Sequence, residues 1–518
     1  MMMWRQRWQV SSSSHLRSMR KRSIDTTADS SASEEQGGGQ PAKRRHDACA
    51  VARSLRLSEL PCAALHLLAP EVATALRTAE ALVTCQPSPS GDALEEAKAA
   101  ADAARESTFP HLDDSHHSSA YAAASLLFAG CLLMEASAAP SPVAASEAAT
   151  AALRALDLAM LRAGVDEWAA AAAPLVRQAG AFRISHDAAE HSSGTSSGAG
   201  QAHSPADPMQ AARTGWERAC AHFTDDAHAH SIERVDARTL SVDEFRNRHM
   251  EVGGGLPPRP VILTHALETW PALSSRPWSM HYLKEAAGSR LVPVETYASK
   301  DATSTYLSDS WAQRVMTFAE YIDLYIIKSA PHRSGDADEE ESATERGYLA
   351  QHQLFEQIPS LRDDIHTPSF CDVWTAEDSA APDGCETRRL PVVSAWIGPG
   401  GTVSPLHTDP YHNLLAQVSG HKYIRLYDSQ HSPRLYPRSG ALCNNCYVDL
   451  DHPPTPAERP LFEGTPFHQC ILGPGELLYI PRHAWHYVRA LEASLSVSFW
   501  WGARMALTCV DGVVAAHY

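Results

Sequence analysis

Apolar residues follow two different rhythms in the two halves of the chain. From about residue 48 to 182 alanine and leucine dominate, and the pattern breaks at proline, glycine and polar clusters. Leu153, Leu156, Met160 and Leu161 recur at the spacing of one helix face, and Gly164 follows where a helix would stop. This predicts an α-helical module of short stacked helices, one that carries no legible chemistry and serves as a scaffold or binds a protein partner. After about residue 230, short runs rich in β-branched and aromatic residues are separated by Gly and Pro turns. They are Pro260 to Leu263, Val392 to Ile397, Leu414 to Val418, Tyr423 to Tyr427, Leu477 to Ile480 and Leu495 to Trp501. That rhythm predicts an antiparallel barrel or jelly roll, with helices between 278 and 330, for example Phe318 to Ile327. The fold class is α+β overall, with 48–182 helical and 230–518 built around the barrel.

Two stretches follow neither rhythm. Residues 1–47 hold the serine run Ser11 to Ser14 and Gly37-Gly38-Gly39 with hardly any aliphatic periodicity, and read as a disordered basic leader. Its clusters Arg20-Lys21-Arg22 and Lys43-Arg44-Arg45 fit a nuclear import signal. Its first 24 residues, with arginines and serines but no acid, fit an organelle transit peptide, and a solvated tail with no address fits equally. Nucleus is the expected location, with cytoplasm or an organelle as alternatives. Residues 183–229, including Ser192 to Gly198, read as a flexible linker and lead-in.

Composition narrows the classes. The 518 residues carry 44 basic and 61 acidic side chains, a formal charge of −17. The leader is itself basic, so the rest is more acidic than this total, which argues against a broad basic face for nucleic acid. Eleven cysteines, odd in number and irregular in spacing, do not form a secreted disulfide framework and fit a reducing compartment. The longest apolar run, Ala120 to Met134, is shorter than a bilayer span and ends at Glu135, so no transmembrane helix is expected.

The chemistry gathers in the second half. Ser404-Pro405-Leu406-His407-Thr408-Asp409 sets a histidine and an aspartate two apart at a strand end, on one face. A second His-x-Asp, His111-Leu112-Asp113, lies in a polar break without strand pattern and reads as a solvated loop. Downstream, His486 shares strand parity with Val488 and Ala490, which aims it into the barrel. Two histidines and a carboxylate make the facial triad that leaves positions open on Fe(II). His483 competes as third ligand but sits within the turn. Lys422 follows a hairpin turn at Gly420 and shares a face with Ile424 and Leu426. Either that face is solvent-exposed on an edge strand or the buried ammonium awaits an anion such as a dicarboxylate.

These residues resemble the JmjC family of Fe(II)/2-oxoglutarate-dependent oxygenases, whose fold is a double-stranded β-helix of the jelly-roll, cupin-like type. The branch most alike is the one described as bifunctional peptidase and arginyl-hydroxylase, of lysine-specific demethylase 8 type. The likeness covers roughly 255–502, including Gly347 to Phe355, Ser404 to Asn413 and Trp485 to Leu491. The resemblance implies that His407, Asp409 and His486 hold Fe(II), and that 2-oxoglutarate and O₂ are cosubstrates. Lys422 and the Tyr348 hydroxyl would bind the distal carboxylate of 2-oxoglutarate, with Ser404 and Asn413 adding polar contacts. Glu295 and Trp311 match positions that contact the substrate side chain, and a carboxylate beside an indole suits a guanidinium. A half-buried core aromatic and a solvated surface acid are the plain alternatives for that pair.

The function so implied is hydroxylation of an arginine in a protein substrate. Histone methyl-lysine demethylation on chromatin and an arginine-directed peptidase activity on histone tails are the alternatives. Neither direct nucleic-acid binding nor a membrane is expected. Two features depart from the family pattern. Cys443-Asn444-Asn445-Cys446 lacks the second pair that a zinc site needs, so a variable loop with two incidental thiols is expected. An insert at 333–345, with the acidic run Asp336 to Glu341, reads as a surface loop lengthening the approach to Tyr348.

Overall fold

The computed structural model describes residues 70–84, 90–109, 115–192, 227–298, 306–307, 310–328, 345–379 and 387–503. The leader, the His111/Asp113 pair and the acidic run Asp336 to Glu341 lie outside them.

Five helices form the first module: α1 (Pro70–Val83), α2 (Gly91–Thr108), α3 (Ser115–Ala138), α4 (Pro142–Ala163) and α5 (Val165–Ser192). Ser90 and Ser141 cap α2 and α4 by accepting backbone N–H groups, and Gly164 ends α4 with φ 109°, a conformation that other residues rarely adopt. Alanines on the inward faces of these helices bury almost completely, so the helices pack closely around one core. Two expectations are corrected here. α5 continues to Ser192, ten residues past the expected end of the module, because nothing between 182 and 192 breaks it. α3 is long and apolar enough to cross a membrane by length and composition, contrary to the reading of Ala120 to Met134 as too short, although most of that window is buried inside the module. The helix outruns its apolar string because Glu135, which ends that string, pairs with Lys98 of α2 at 2.6 Å, and Ser137 donates its hydroxyl to the Leu133 carbonyl four residues back.

The second half is a two-sheet sandwich. The smaller sheet runs β1 (Ala229–Ser231), β11 (Phe467–Leu472), β10 (Lys422–Tyr427), β13 (Trp485–Ala490), β8 (Val403–His407). The larger runs β2 (Arg234–Asp236), β3 (Val261–Thr264), β12 (Leu477–Ile480), β9 (His412–Ser419), β14 (Ser494–Ala503), β7 (Thr387–Gly398), β6 (Glu345–His352), β4 (Leu291–Ala298), β5 (Ala312–Thr317). Every predicted strand is present. β4 and β5 were missed in the stretch read as helical, where α6 (Met280–Ala287) and the turn-rich segment 318–327 are the helices. Pro293 obscured β4. It falls where β4 pairs with β5 alone, before the β6 ladder starts at Glu295, a place where a missing N–H is tolerated.

Alternation along β10 positions the site. Ile424 and Leu426 face between the sheets with Leu415, Leu478 and Ile480, while Tyr423 and Tyr427 enter a second cluster with Trp485 and Tyr487 on the outer face. Both faces of the smaller sheet are thus covered, so a polar residue on the inner face needs a partner there.

Candidate metal centre

β8 and β13 are antiparallel neighbours, and their register sets His407 directly opposite His486. The two imidazoles lie with centroids 4.1 Å apart, tilted by 49°. Asp409 follows just past the end of β8. Ligand atoms of His407, Asp409 and His486 lie within 4.8 Å of one another, the metal-competent cluster found among the described residues.

The tautomers are set by the backbone. His407 Nδ1 lies 2.7 Å from the Pro405 carbonyl and His486 Nδ1 lies 3.0 Å from the Ala484 carbonyl. A carbonyl only accepts, so each Nδ1 carries the proton and each Nε2 keeps its lone pair for the cluster. Burial, followed by the neighbouring His407, lowers the His486 pKa to about 4, which keeps the ring neutral as a ligand must be. His483 is decided against as third ligand. It adopts φ 62° in the turn, donates its backbone N–H to the Asp409 carbonyl at 3.0 Å, and stands outside the cluster.

The donor set discriminates between metals. Two imidazoles and one carboxylate suit non-haem Fe(II), whereas structural zinc takes four ligands rich in sulfur. Neither Cys443 nor Cys446 belongs to the cluster. The Cys443–Cys446 segment is nevertheless more than an incidental loop. Asn445 makes a strand-like bridge with His407, and the Asn444 carbonyl accepts from Thr408 N–H at 2.8 Å, so this segment walls the metal strand.

Comparison with known proteins agrees with this geometry. Residues 255–506 match the cupin-like domain family. Over 262 residues the chain is 39% identical to lysine-specific demethylase 8 of Danio rerio, covering 50% of this chain and 56% of that protein. Over 275 residues it is 42% identical to lysine-specific demethylase JMJ30 of Arabidopsis thaliana, covering 52% and 55%. It is 38% identical to Jumonji C domain-containing protein 5 of Drosophila melanogaster over 275 residues, covering 52% and 59%. This region is a JmjC domain of cupin-like fold. The chain spans little more than half the length of these relatives.

Within the JmjC domain, Lys422 decides its own two readings. It is 2% exposed, opens β10 opposite Ala490, and burial alone lowers its pKa to about 7, with no carboxylate compensating. The exposed-edge reading therefore fails. Four residues along the same inner face, Leu426 pairs with His486, so ammonium and triad share one cavity wall. Across from them the Tyr348 ring packs 6.1 Å from Trp396, which in turn meets Trp500 edge-on at 6.1 Å, and Trp500 pairs in register with Asn413. A side chain at position 398 would collide with the Tyr348 ring, and Gly398 removes that obstacle. The Tyr348 hydroxyl is hydrogen-bonded to Ser404, and burial holds its pKa well above the usual phenol value. Tyr297 Oη, Asn413 Oδ1 and Trp500 Nε1 are buried without a hydrogen-bond partner. An unpaired buried lysine among orphaned donors and acceptors fits a polar, anionic ligand such as 2-oxoglutarate.

Glu295 and Trp311 are brought together. Trp311 Nε1 donates to Glu295 Oε2 at 3.1 Å, and Glu295 is buried, so the solvated-acid reading of that residue fails. Glu295 stands opposite Tyr348 in the β4–β6 ladder, which places the pair beside the cosubstrate wall. Sequence reasoning missed Tyr306. Its hydroxyl donates to Asn445 Oδ1 at 2.6 Å, and it lies within electrostatic reach of both Asp409 and Glu295. Its only sequence signal was an aromatic in a polar stretch.

Proposed function

We propose that the chain is an Fe(II)/2-oxoglutarate-dependent oxygenase acting on a cationic side chain of a protein. The observation that carries this is the unpaired, buried Lys422 on the same inner strand face as the His407–Asp409–His486 cluster. Bound iron, 2-oxoglutarate and O₂ supply oxidation of an unactivated C–H bond, coupled to loss of CO₂ from the cosubstrate. The chain's residues bind and orient. Lys422 and Tyr348 take the far carboxylate, Ser404 and Asn413 hold the body of the cosubstrate, and Glu295 with Trp311 and Tyr306 receives the substrate.

The outcome depends on which carbon is presented. N-methyl-lysine demethylation is the reading the names of the Danio and Arabidopsis relatives support. Arginine hydroxylation is favoured by one specific feature, the carboxylate–indole pair, which suits a planar guanidinium. Histone tails are substrates for either reading, and residence in the nucleus belongs to the same proposal. Anaerobic reconstitution with Fe(II) and 2-oxoglutarate, exposure to O₂ and mass spectrometry of peptides separates them. One added oxygen on arginine, a lost methyl on lysine, or a shortened peptide each names one outcome, and unchanged peptides with no succinate formed would overturn the proposal.

Two expectations arise here. Glu295→Gln should lower turnover of a cationic peptide by roughly 10–100-fold, because a charge-assisted contact becomes neutral. Peptide-independent conversion of 2-oxoglutarate should persist, and its loss would move Glu295 out of the substrate site. Dicarboxylate binding should also take up a proton. With a pKa of about 7, Lys422 is mostly neutral at about pH 8 in the free protein, and an anion restores its charge. Calorimetry in buffers of differing ionisation heat should find close to one proton taken up near pH 8 and far less near pH 6.

A further inference from the structure

A buried polar network lies outside the metal site, where the helical module meets the barrel. Asp157 on α4 is fully buried in an otherwise alanine- and leucine-rich face. Its carboxylate accepts from Arg290 Nε at 3.0 and 3.1 Å and from Nη2 at 2.5 Å. It also accepts from the Leu291 backbone N–H at 2.9 Å and from Gln357 Nε2 at 2.7 Å. Arg290 Nη2 donates onward to the Gln357 carbonyl at 2.7 Å. Gln357 Nε2 donates to the Leu291 carbonyl at 2.7 Å, while its Oε1 accepts from His352 Nε2 at 2.6 Å. Arg290, His352 and Gln357 are all at most 3% exposed. A charge in such a place is retained only when its partners are complete, and here they are.

The location gives the network a role. Leu291 opens β4 and His352 closes β6, and the backbone ladder between these strands runs from Ala298↔Glu345 to Glu295↔Tyr348. Continuing that register by four residues places Leu291 opposite His352, the two groups that Gln357 bridges. The side-chain amide therefore carries the pairing past the end of the backbone ladder. On its other side β6 passes an irregularity at Gln351, φ 49°, and pairs with β7 again at His352↔Ala395, so β6 is held there while the Leu291 end of β4 has no β6 backbone partner. A one-residue slip of β4 against β6 would turn Glu295 or Tyr348 to the wrong face.

We propose that the helical module is a working part of the oxygenase site, in which Asp157 is a positioning residue that fixes β4 against β6 and so places Glu295 opposite Tyr348. This rests on the oxygenase reading above. It makes the module part of the enzyme rather than an appended partner-binding unit.

The test uses the full chain loaded with Mn(II) in place of iron, and N-oxalylglycine as a dicarboxylate probe titrated by calorimetry, with the folded fraction measured by active metal stoichiometry. Wild type must bind the probe, and if it does not, the oxygenase reading itself fails. Given that binding, Asp157→Asn and Gln357→Met should each weaken the probe at least about 10-fold per folded molecule, as a misplacement near 1 Å does. In turnover they should raise 2-oxoglutarate consumed per peptide oxidised. Gln357→Met leaves the Asp157–Arg290 pair in place, so it reports on register even where Asp157→Asn folds poorly. Wild-type affinity and coupling in the folded fraction of Gln357→Met would show that the network only stabilises, and would overturn the proposal.

Discussion

His407→Ala abolishes turnover of 2-oxoglutarate and lowers metal affinity at least about 100-fold, the upper end of what losing even an outer partner of a ligand costs. The substitution removes one of three donors and empties the position opposite His486 in the β8–β13 register. It also leaves His486 without the neighbour that helps keep its ring neutral. The barrel should survive, because His407 ends its strand and the inner cluster of Ile424, Leu426, Leu478 and Ile480 does not include it. Fe(II) or Mn(II) titration with unchanged circular dichroism checks both halves. Unchanged 2-oxoglutarate turnover would remove His407 from the metal site.

Lys422→Met should act with opposite signs on stability and on cosubstrate binding. The free protein holds a buried amine whose pKa is lowered from 10.5 to about 7, which at pH 7 costs stability on the order of 4 kcal/mol. The sign follows from the two states. Below about pH 7 both folded and unfolded chains carry the proton and the full cost is present, and it fades as pH rises towards 10.5. Methionine fills the same volume without a charge, so the variant's apo protein should melt later than wild type, with the gain shrinking as pH rises. Its Michaelis constant for 2-oxoglutarate should rise by two orders of magnitude or more, since removing one partner of a buried charge pair costs about 2–5 kcal/mol. A variant less stable than wild type and unchanged in 2-oxoglutarate affinity would show that Lys422 is a packing residue.

What the sequence discloses is which face a residue takes, and this is why the metal site was legible. Parity along β13 aimed His486 inward, a two-residue step put His407 and Asp409 together, and parity set Lys422 on one face with Ile424 and Leu426, leaving open whether that face met solvent or a buried anion. The six runs of β-branched and aromatic residues each became a strand. Periodicity does not disclose partners. Asp157 and Arg290 are 133 residues apart, and Tyr306 and Asn445 are 139 apart. Each pair meets only once the sheets and helices have packed. β4 was hidden by Pro293, and the full length of α3 was hidden because Glu135, paired with Lys98 of α2, and Ser137, bonded within its own helix, look polar in sequence yet continue the helix.

The lead-in from Ala229 to Asp236 has one more consequence. Its first three residues run parallel to β11 and its last three parallel to β3, so one short span finishes both sheets, with Ile232 tucked between them. Without it, β11 and β3 would each present a bare row of amides and carbonyls, the kind of rim on which copies of a protein zip together into aggregates. The family match begins only at 255. A fragment trimmed to that homology boundary would therefore keep every metal ligand and lose the border that keeps its sheets from recruiting one another.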